Sequence, residues 1–206
     1  MNLKHVIIPA LTIALFVVAA CGGPAKKDYS KEVDEGTFSG NTYTSQALGW
    51  TMEFPDNWII TDKSSLESMD ERSKELVDDT TSNMSGIKRT LAFQKNFDNN
   101  FQSSWEEFSG DEASYRRILA QNHQLIYTNY LDQRVYADTV AGTLKVSGVT
   151  FDTYQLSLND REAKVFTTQL LMNALVKGKF MTVIISYNND ADKEKILGLF
   201  KKSTFK

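Results

Sequence analysis

The stretch FTTQLLMNALVKGKFMTVIISY, residues 166–187, decides the fold. Phe166, Thr168, Leu170, Met172, Ala174 and Val176 fall on alternate positions, the two-residue period of a strand with one face buried. Lys177-Gly178-Lys179 supplies a turn, and Phe180 to Tyr187 runs back as a second apolar strand. Two strands joined so tightly pair antiparallel. On the C-terminal side, Asn188 to Asp192 caps a last helix. Its acidic first turn and its terminal Lys201 and Lys202 both oppose the helix dipole, and Ile196, Leu199 and Phe200 would dock it on the sheet. On the N-terminal side, Val135 to Leu158 is rich in Val, Thr, Tyr and Phe. It suits two or three strands, with Gly142 and Gly148 as breakers.

Further upstream the period changes. Tyr115, Ile118, Leu119, Leu125 and Ile126 trace one face of a helix between Asp111 and Tyr127. Ser109 with Glu112 forms a capping box for it, Ser104 with Glu107 forms another, and Gly110 separates a short helix from the long one. Ile87 to Gln94 reads as a strand. Ser64 with Glu67 caps a helix over 65–78 that carries Leu66, Met69, Leu76 and Val77 at helical spacing. Trp50, Met52 and Phe54 alternate as a strand, and Pro55-Asp56-Asn57 turns the chain into Trp58-Ile59-Ile60, which predicts a hairpin. Strands outnumber helices and tight turns join them. The expected class is therefore α+β, a largely antiparallel sheet covered by helices.

The first twenty residues do not belong to that domain. Lys4 precedes fifteen uncharged residues, Val6 to Ala20, the n-region and h-region of an export signal. As a helix this run spans about 22 Å, short of the ~30 Å hydrocarbon core, and Pro9 interrupts it. It ends in Val18-Ala19-Ala20-Cys21, which resembles the bacterial lipobox. The resemblance implies a signal peptide over 1–20 and a diacylglycerol on the Cys21 thiol. Two or more acyl chains give stable anchoring at about 0.8 kcal/mol per buried methylene. Residues 21–43 are Gly, Pro, Lys, Asp, Ser and Glu with little apolar periodicity, a flexible tether. Residues 44–206 then form a single globular domain. The expected location is outside the cytoplasm, on the outer membrane or the outer face of the cytoplasmic membrane.

Composition removes several chemistries. Cys21 is the one cysteine, so lipidation leaves no thiol for disulfides, zinc, iron–sulfur clusters or nucleophilic catalysis. Of 23 basic residues only Lys4 lies in the leader, leaving 22 against 26 acidic, a charge of about −4. Dispersed Lys and Arg at that balance argue against nucleic acid as a partner. No cofactor motif is present.

His123 is the one histidine beyond the leader, and it lies beside the apolar stripe of a helix with no Gly-x-Ser-x-Gly elbow nearby. Asn188, Asp190 and Asp192 have calcium-loop spacing, but Lys193 and Leu199 stand where Gly and Glu are required, so helix capping is the reading and no metal site is expected. Asp78-Asp79 and Glu106-Glu107 could supply acid and base for glycoside hydrolysis. Adjacent residues diverge on a helix, so both pairs read as solvated. Phe97, Phe101, Trp105 and Phe108 are spaced by four, four and three in polar company. On a helix they share a face, a candidate partner or lipid surface, with packing onto the sheet edge as the competing reading.

The string LGWTMEFPDNW, residues 48–58, then one helix, a middle strand, and a closing pair of long strands with a short helix resembles the PsbP/Mog1-like fold over about 45–205. The resemblance implies an α/β/α sandwich and a non-catalytic binding or assembly module, in a superfamily whose members range from photosystem assembly to binding a small GTPase. The functional expectation is an exported, lipid-anchored module with a membrane contact through Cys21 and a protein partner. The alternatives are an exported hydrolase using carboxylates or a Ser with His123, and a carrier of a small apolar ligand.

Overall fold

Every strand pairing in the computed structural model is antiparallel. The structure describes residues 36–61, 87–160, 162 and 164–206. Cys21, the leader, Asp78-Asp79 and the helix expected over 65–78 lie outside them. In chain order the elements are β1 (Gly36–Ser39), β2 (Thr42–Ser45), β3 (Trp50–Glu53), β4 (Ile59–Ile60), β5 (Lys88–Gln94), β6 (Asn100–Glu107), α1 (Glu112–Asp132), β7 (Tyr136–Val146), β8 (Val149–Asn159), β9 (Val165–Val176), β10 (Lys179–Tyr187), α2 (Asp190–Lys202) and β11 (Thr204–Phe205). They form a seven-stranded sheet, β4-β5-β6-β10-β9-β8-β7, and a four-stranded sheet, β1-β2-β3-β11.

The hairpin of residues 166–187 is β9–β10. Lys177 and Gly178 both take positive φ, 51° and 75°, the mirror-image turn whose twist matches that of the flanking strands. Ser147 and Gly148, at 48° and 88°, build the same turn between β7 and β8. Gly142 is not a breaker: it sits inside β7 opposite Thr153, so two long strands fill this segment.

Alternation on β10 gives the large sheet two working faces. Met181, Val183, Ile185 and Tyr187 point to the main core, joined by Phe93, Phe101, Trp105, Phe151, Met172 and Ala174 of the neighbouring strands. α2 lays Ile196 and Phe200 on this face, and β2 and β3 add Tyr43, Trp50 and Met52. The opposite face carries Phe180, Leu156, Leu158 and Leu171, and α1 covers it with Tyr115, Leu119, Ile126 and Tyr130. The fold is thus α+β, and one face of the sheet is covered by a helix and a second sheet together.

Further expectations are corrected. Trp50 to Ile60 is not a hairpin: β3 pairs with β2 and β11, β4 pairs with β5, and the turn closed by Trp58 N–H on Pro55 C=O sends the chain from one sheet to the other. Strand structure is already present from Gly36, inside the segment read as tether over 21–43, because Phe38 and Tyr43 pack their rings against Phe54 and Trp50. Ser104 and Glu107 cap nothing, since both lie in β6. α1 is capped by Asp111 rather than Ser109, with the Asp111 carboxylate accepting from Ser114 N–H at 2.9 Å.

The register between β5 and β6 shifts between Arg89 and Ala92. The buried Ser103 hydroxyl fills that irregularity: it accepts from Leu91 N–H at 3.1 Å, donates to Leu91 C=O at 2.9 Å and lies 2.7 Å from Thr90 Oγ1. Ser103→Ala would leave buried backbone groups without partners, at a cost of roughly 1–3 kcal/mol. Urea unfolding should show that loss, with the slope unchanged.

Candidate functional site

The aromatic series splits. Residues 100–107 are strand, not helix, so Phe101 and Trp105 share the core face of β6 and are 0% and 6% exposed. Phe101 stacks 4.8 Å from Phe93 and 6.2 Å from Trp50. Phe108 follows the strand on the other side of the sheet and packs half-buried against Tyr115 and Phe180. Phe97 alone is open, at 46% exposure in the β5–β6 turn. A partner or lipid surface built on Phe97, Phe101, Trp105 and Phe108 is therefore overturned. A spacing of four fits one face of a strand as well as one face of a helix.

His123 projects from α1 and stacks on Tyr154 of β8, ring centroids 4.0 Å apart and 9° between planes. Its Nε2 is buried without a hydrogen-bond partner, and burial pulls the imidazole pKa below its ordinary value against the opposing pull of Asp152. Asp152 is engaged elsewhere. It accepts from the Tyr115 hydroxyl at 2.8 Å and pairs with Arg116 at 2.7 Å, and Arg116 also pairs with Glu112. A proton relay needs the base hydrogen-bonded to its nucleophile or orienter, and His123 has neither. Glu106 and Glu107 lie on opposite sides of β6. Glu107 pairs with Lys179 at 2.9 Å, while Glu106 is half-buried rather than solvated and burial raises its pKa.

Asn188, Asp190 and Asp192 belong to the start of α2. Asn189 caps it by accepting from Asp192 N–H, and Asp192 pairs with Lys95 at 2.9 Å. Burial pushes the Asp192 carboxyl up, but Asn189 and Lys95 outweigh it and hold the pKa below the ordinary value. Among the described residues no three His, Cys, Asp or Glu side chains cluster as a metal site would require.

What the structure does bring together is a set of uncharged polar groups on the α1 side of the sheet. Register places Gln94 opposite Asn100 and Ala92 opposite Gln102, with Thr61 N–H on Ala92 C=O. Thr61, Gln94, Asn100 and Gln102 are each under one-tenth exposed. The Thr61 Oγ1, Gln94 Oε1, Asn100 Oδ1 and Gln102 Nε2 atoms have no hydrogen-bond partner. The same two rows of side chains continue across β10 and β9: Gln102 faces Ile184 and then Leu171, Asn100 faces Ser186 and then Gln169. There they enter a cleft under α1 lined by Ile126, Asn129, Tyr130, Gln133, Gln169, Leu171 and Ile184. Tyr130 donates to Gln169 Oε1 at 2.7 Å, and burial pushes its phenol up to about 12.

The cleft encloses about 50 Å³, well below the roughly 300–1,000 Å³ of a small-molecule site. It has room for ordered water or an inserted side chain rather than an enclosed apolar ligand. Sequence reading missed these residues because Asn100, Gln102 and Ser104 look like the solvated side of a helix. The signal available was their strict alternation with Phe101, Ser103 and Trp105.

No protein-family model matches the chain, and no curated protein matches it either. Solved structures do. The solution structure of cyanobacterial PsbP (CyanoP) from Synechocystis sp. PCC 6803 superposes with a TM-score of 0.53 at 15% identity, covering 92% of this chain and 99% of that one. The chain has a PsbP-like fold. A crystal structure from Bacteroides thetaiotaomicron VPI-5482 matches at a TM-score of 0.43 and 11% identity, over 82% of this chain and 49% of that one.

Two outcomes are expected. Phe101→Ala should destabilise the domain by about 3–5 kcal/mol, whereas Phe97→Ala should stay within about 0.5 kcal/mol of the parent, both read by urea unfolding. His123 favours the neutral ring in the folded state, so its contribution is present above its ordinary pKa near 6.5 and is lost as pH falls through the lowered folded value. His123→Gln should flatten that part of the stability profile, measured by thermal unfolding between neutral and mildly acidic pH.

Proposed function

We propose that this chain is an exported, lipid-anchored module that binds or assembles with a protein partner and performs no chemistry of its own. The buried and unpartnered Thr61 Oγ1, Gln94 Oε1, Asn100 Oδ1 and Gln102 Nε2 atoms, in rows that run on into the α1 cleft, carry this reading. Buried donors and acceptors without partners cost about 1–3 kcal/mol each. A partner's amide side chain entering the cleft would meet Asn129, Tyr130, Gln133 and Gln169, the polar groups of its lining, at the end of those same rows. Uncharged amides at that position fit a neutral, hydrogen-bonding segment of protein better than an ion or a nucleic acid.

Three observations support the remainder. His123 is stacked rather than paired with a nucleophile. The fold is shared with a PsbP protein. The leader with Cys21 has the pattern that places lipid on a mature N-terminus. Among the described residues no helix is long and apolar enough to cross a membrane, so the membrane contact in this reading is the lipid. The anchor would hold the module on the outer membrane or the outer face of the cytoplasmic membrane.

The test is site-specific photocrosslinking in bacterial cells, with the crosslinker at Asn129 in the cleft and a control at Asp56. A discrete protein adduct at Asn129, absent at Asp56 and lost in Cys21→Ala, is the expected result. Equal labelling at the two positions, or an adduct indifferent to Cys21, would contradict the proposal.

A further inference from the structure

The two ends of the seven-stranded sheet are unlike. One ends in β4, two residues long, which offers little for another strand to join. The other ends in β7, eleven residues paired with β8 in unbroken register from Tyr136↔Asn159 to Val146↔Val149. β7 carries no proline and no bulge, and most of its residues are exposed. Long regular edges of this kind are ordinarily blunted by charge, bulge or proline, because their free backbone groups are a template for a further strand.

The hairpin fixes which backbone groups are free. Val146 and Val149 flank the two-residue turn Ser147-Gly148, so they exchange hydrogen bonds with each other. Alternation along an antiparallel pair then turns the even residues of β7 toward β8 and the odd ones outward. Ala137, Thr139, Ala141, Thr143 and Lys145 therefore present N–H and C=O to an edge that no other described strand pairs.

We infer that this edge pairs with the same edge of a second copy, β7 against β7 about a two-fold axis through Ala141. That register uses the whole strand and brings each outward-facing residue opposite another: Ala141 with Ala141, Thr139 with Thr143, Ala137 with Lys145. On the α2 side, Val140 of each copy comes opposite Gly142 of the other. Val140 is 62% exposed, the highest value among the exposed large apolar residues described. Gly142 has space above it, where an added Cβ would meet only Thr153 Oγ1 at 3.2 Å. Thr–Thr pairs across strands are favourable, and no like charges meet. Asp138, bonded by Asn159 Nδ2 at 2.8 Å, comes opposite Leu144, and Lys145 comes opposite Ala137. The product is one continuous fourteen-stranded sheet across two copies, twice the seven of one chain. The cleft under α1 is not part of the contact.

Ala141→Cys tests the register in the full chain purified in detergent. Paired residues of this type lie about 5.5 Å apart between Cα atoms, within the ~4.4–6.8 Å range of a disulfide. Mild oxidation should give a disulfide-linked dimer well above that of the parent, whose one cysteine is Cys21, and above that of Thr37→Cys on β1. Val140→Lys in the same background should abolish that dimer with the circular dichroism spectrum unchanged, and the parent should sediment as a dimer that Val140→Lys converts to monomer. Crosslinking at Ala141 no greater than at Thr37, or a parent that sediments as a monomer at the highest soluble concentration, would overturn the inference.

Discussion

Trp50 is the joint of the molecule. Its side chain is fully buried and lies within 6.4 Å of four other rings: Tyr43 of β2, Phe101 of β6, Phe200 of α2 and Phe205 of β11. Those rings belong to the small sheet, the large sheet and the C-terminal helix. A four-stranded sheet of four-residue and two-residue strands has too little apolar surface to stand alone. It persists because Trp50 and Met52 reach into a core whose floor belongs to the large sheet. Phe101 receives Trp50 from one side and Phe93 from the other, which is why Phe101 cannot also serve as an outward-facing surface.

This arrangement assigns the two faces of the large sheet different roles. The Trp50 side is filled by aromatic packing among the described residues. The α1 side mixes an apolar half, where Tyr115, Phe108 and Phe180 meet, with a polar half on β5 and β6 where Gln94 Oε1, Asn100 Oδ1 and Gln102 Nε2 lack partners. Packing holds the strands rigid, so the buried polar row keeps a fixed spacing. For the binding role proposed above that order matters, since a site that is already ordered loses less entropy when a partner arrives.

Much of this architecture was legible from the sequence. The β9–β10 hairpin, the final helix and the strand at Ile87–Gln94 follow from alternation, turn chemistry and capping, all local signals. The misreadings have separate causes. Asn100 to Glu107 contains no β-branched residue, and Phe97, Phe101, Trp105 and Phe108 satisfy a helical period, so local propensity favoured a helix where tertiary pairing with β10 imposed a strand. Trp50 to Ile60 failed differently: a turn sequence shows that the chain reverses, not whether the second strand returns to the same sheet. The polar row was invisible for a third reason, because burial of Gln94, Asn100 and Gln102 depends on what lies across them in space. Cys21 stands apart, since the anchor proposed for it concerns processing rather than folding.

If Trp50 makes the two sheets one body, they must open together. Native-state hydrogen exchange read residue by residue tests that claim directly. Amides of β2 and β3 should share a single opening free energy with those of β6 and β10, and Trp50→Ala should lower all four together. Exchange of β2 and β3 at a much lower free energy, with β6 and β10 still protected, would show the small sheet to be a separate unit and contradict the account.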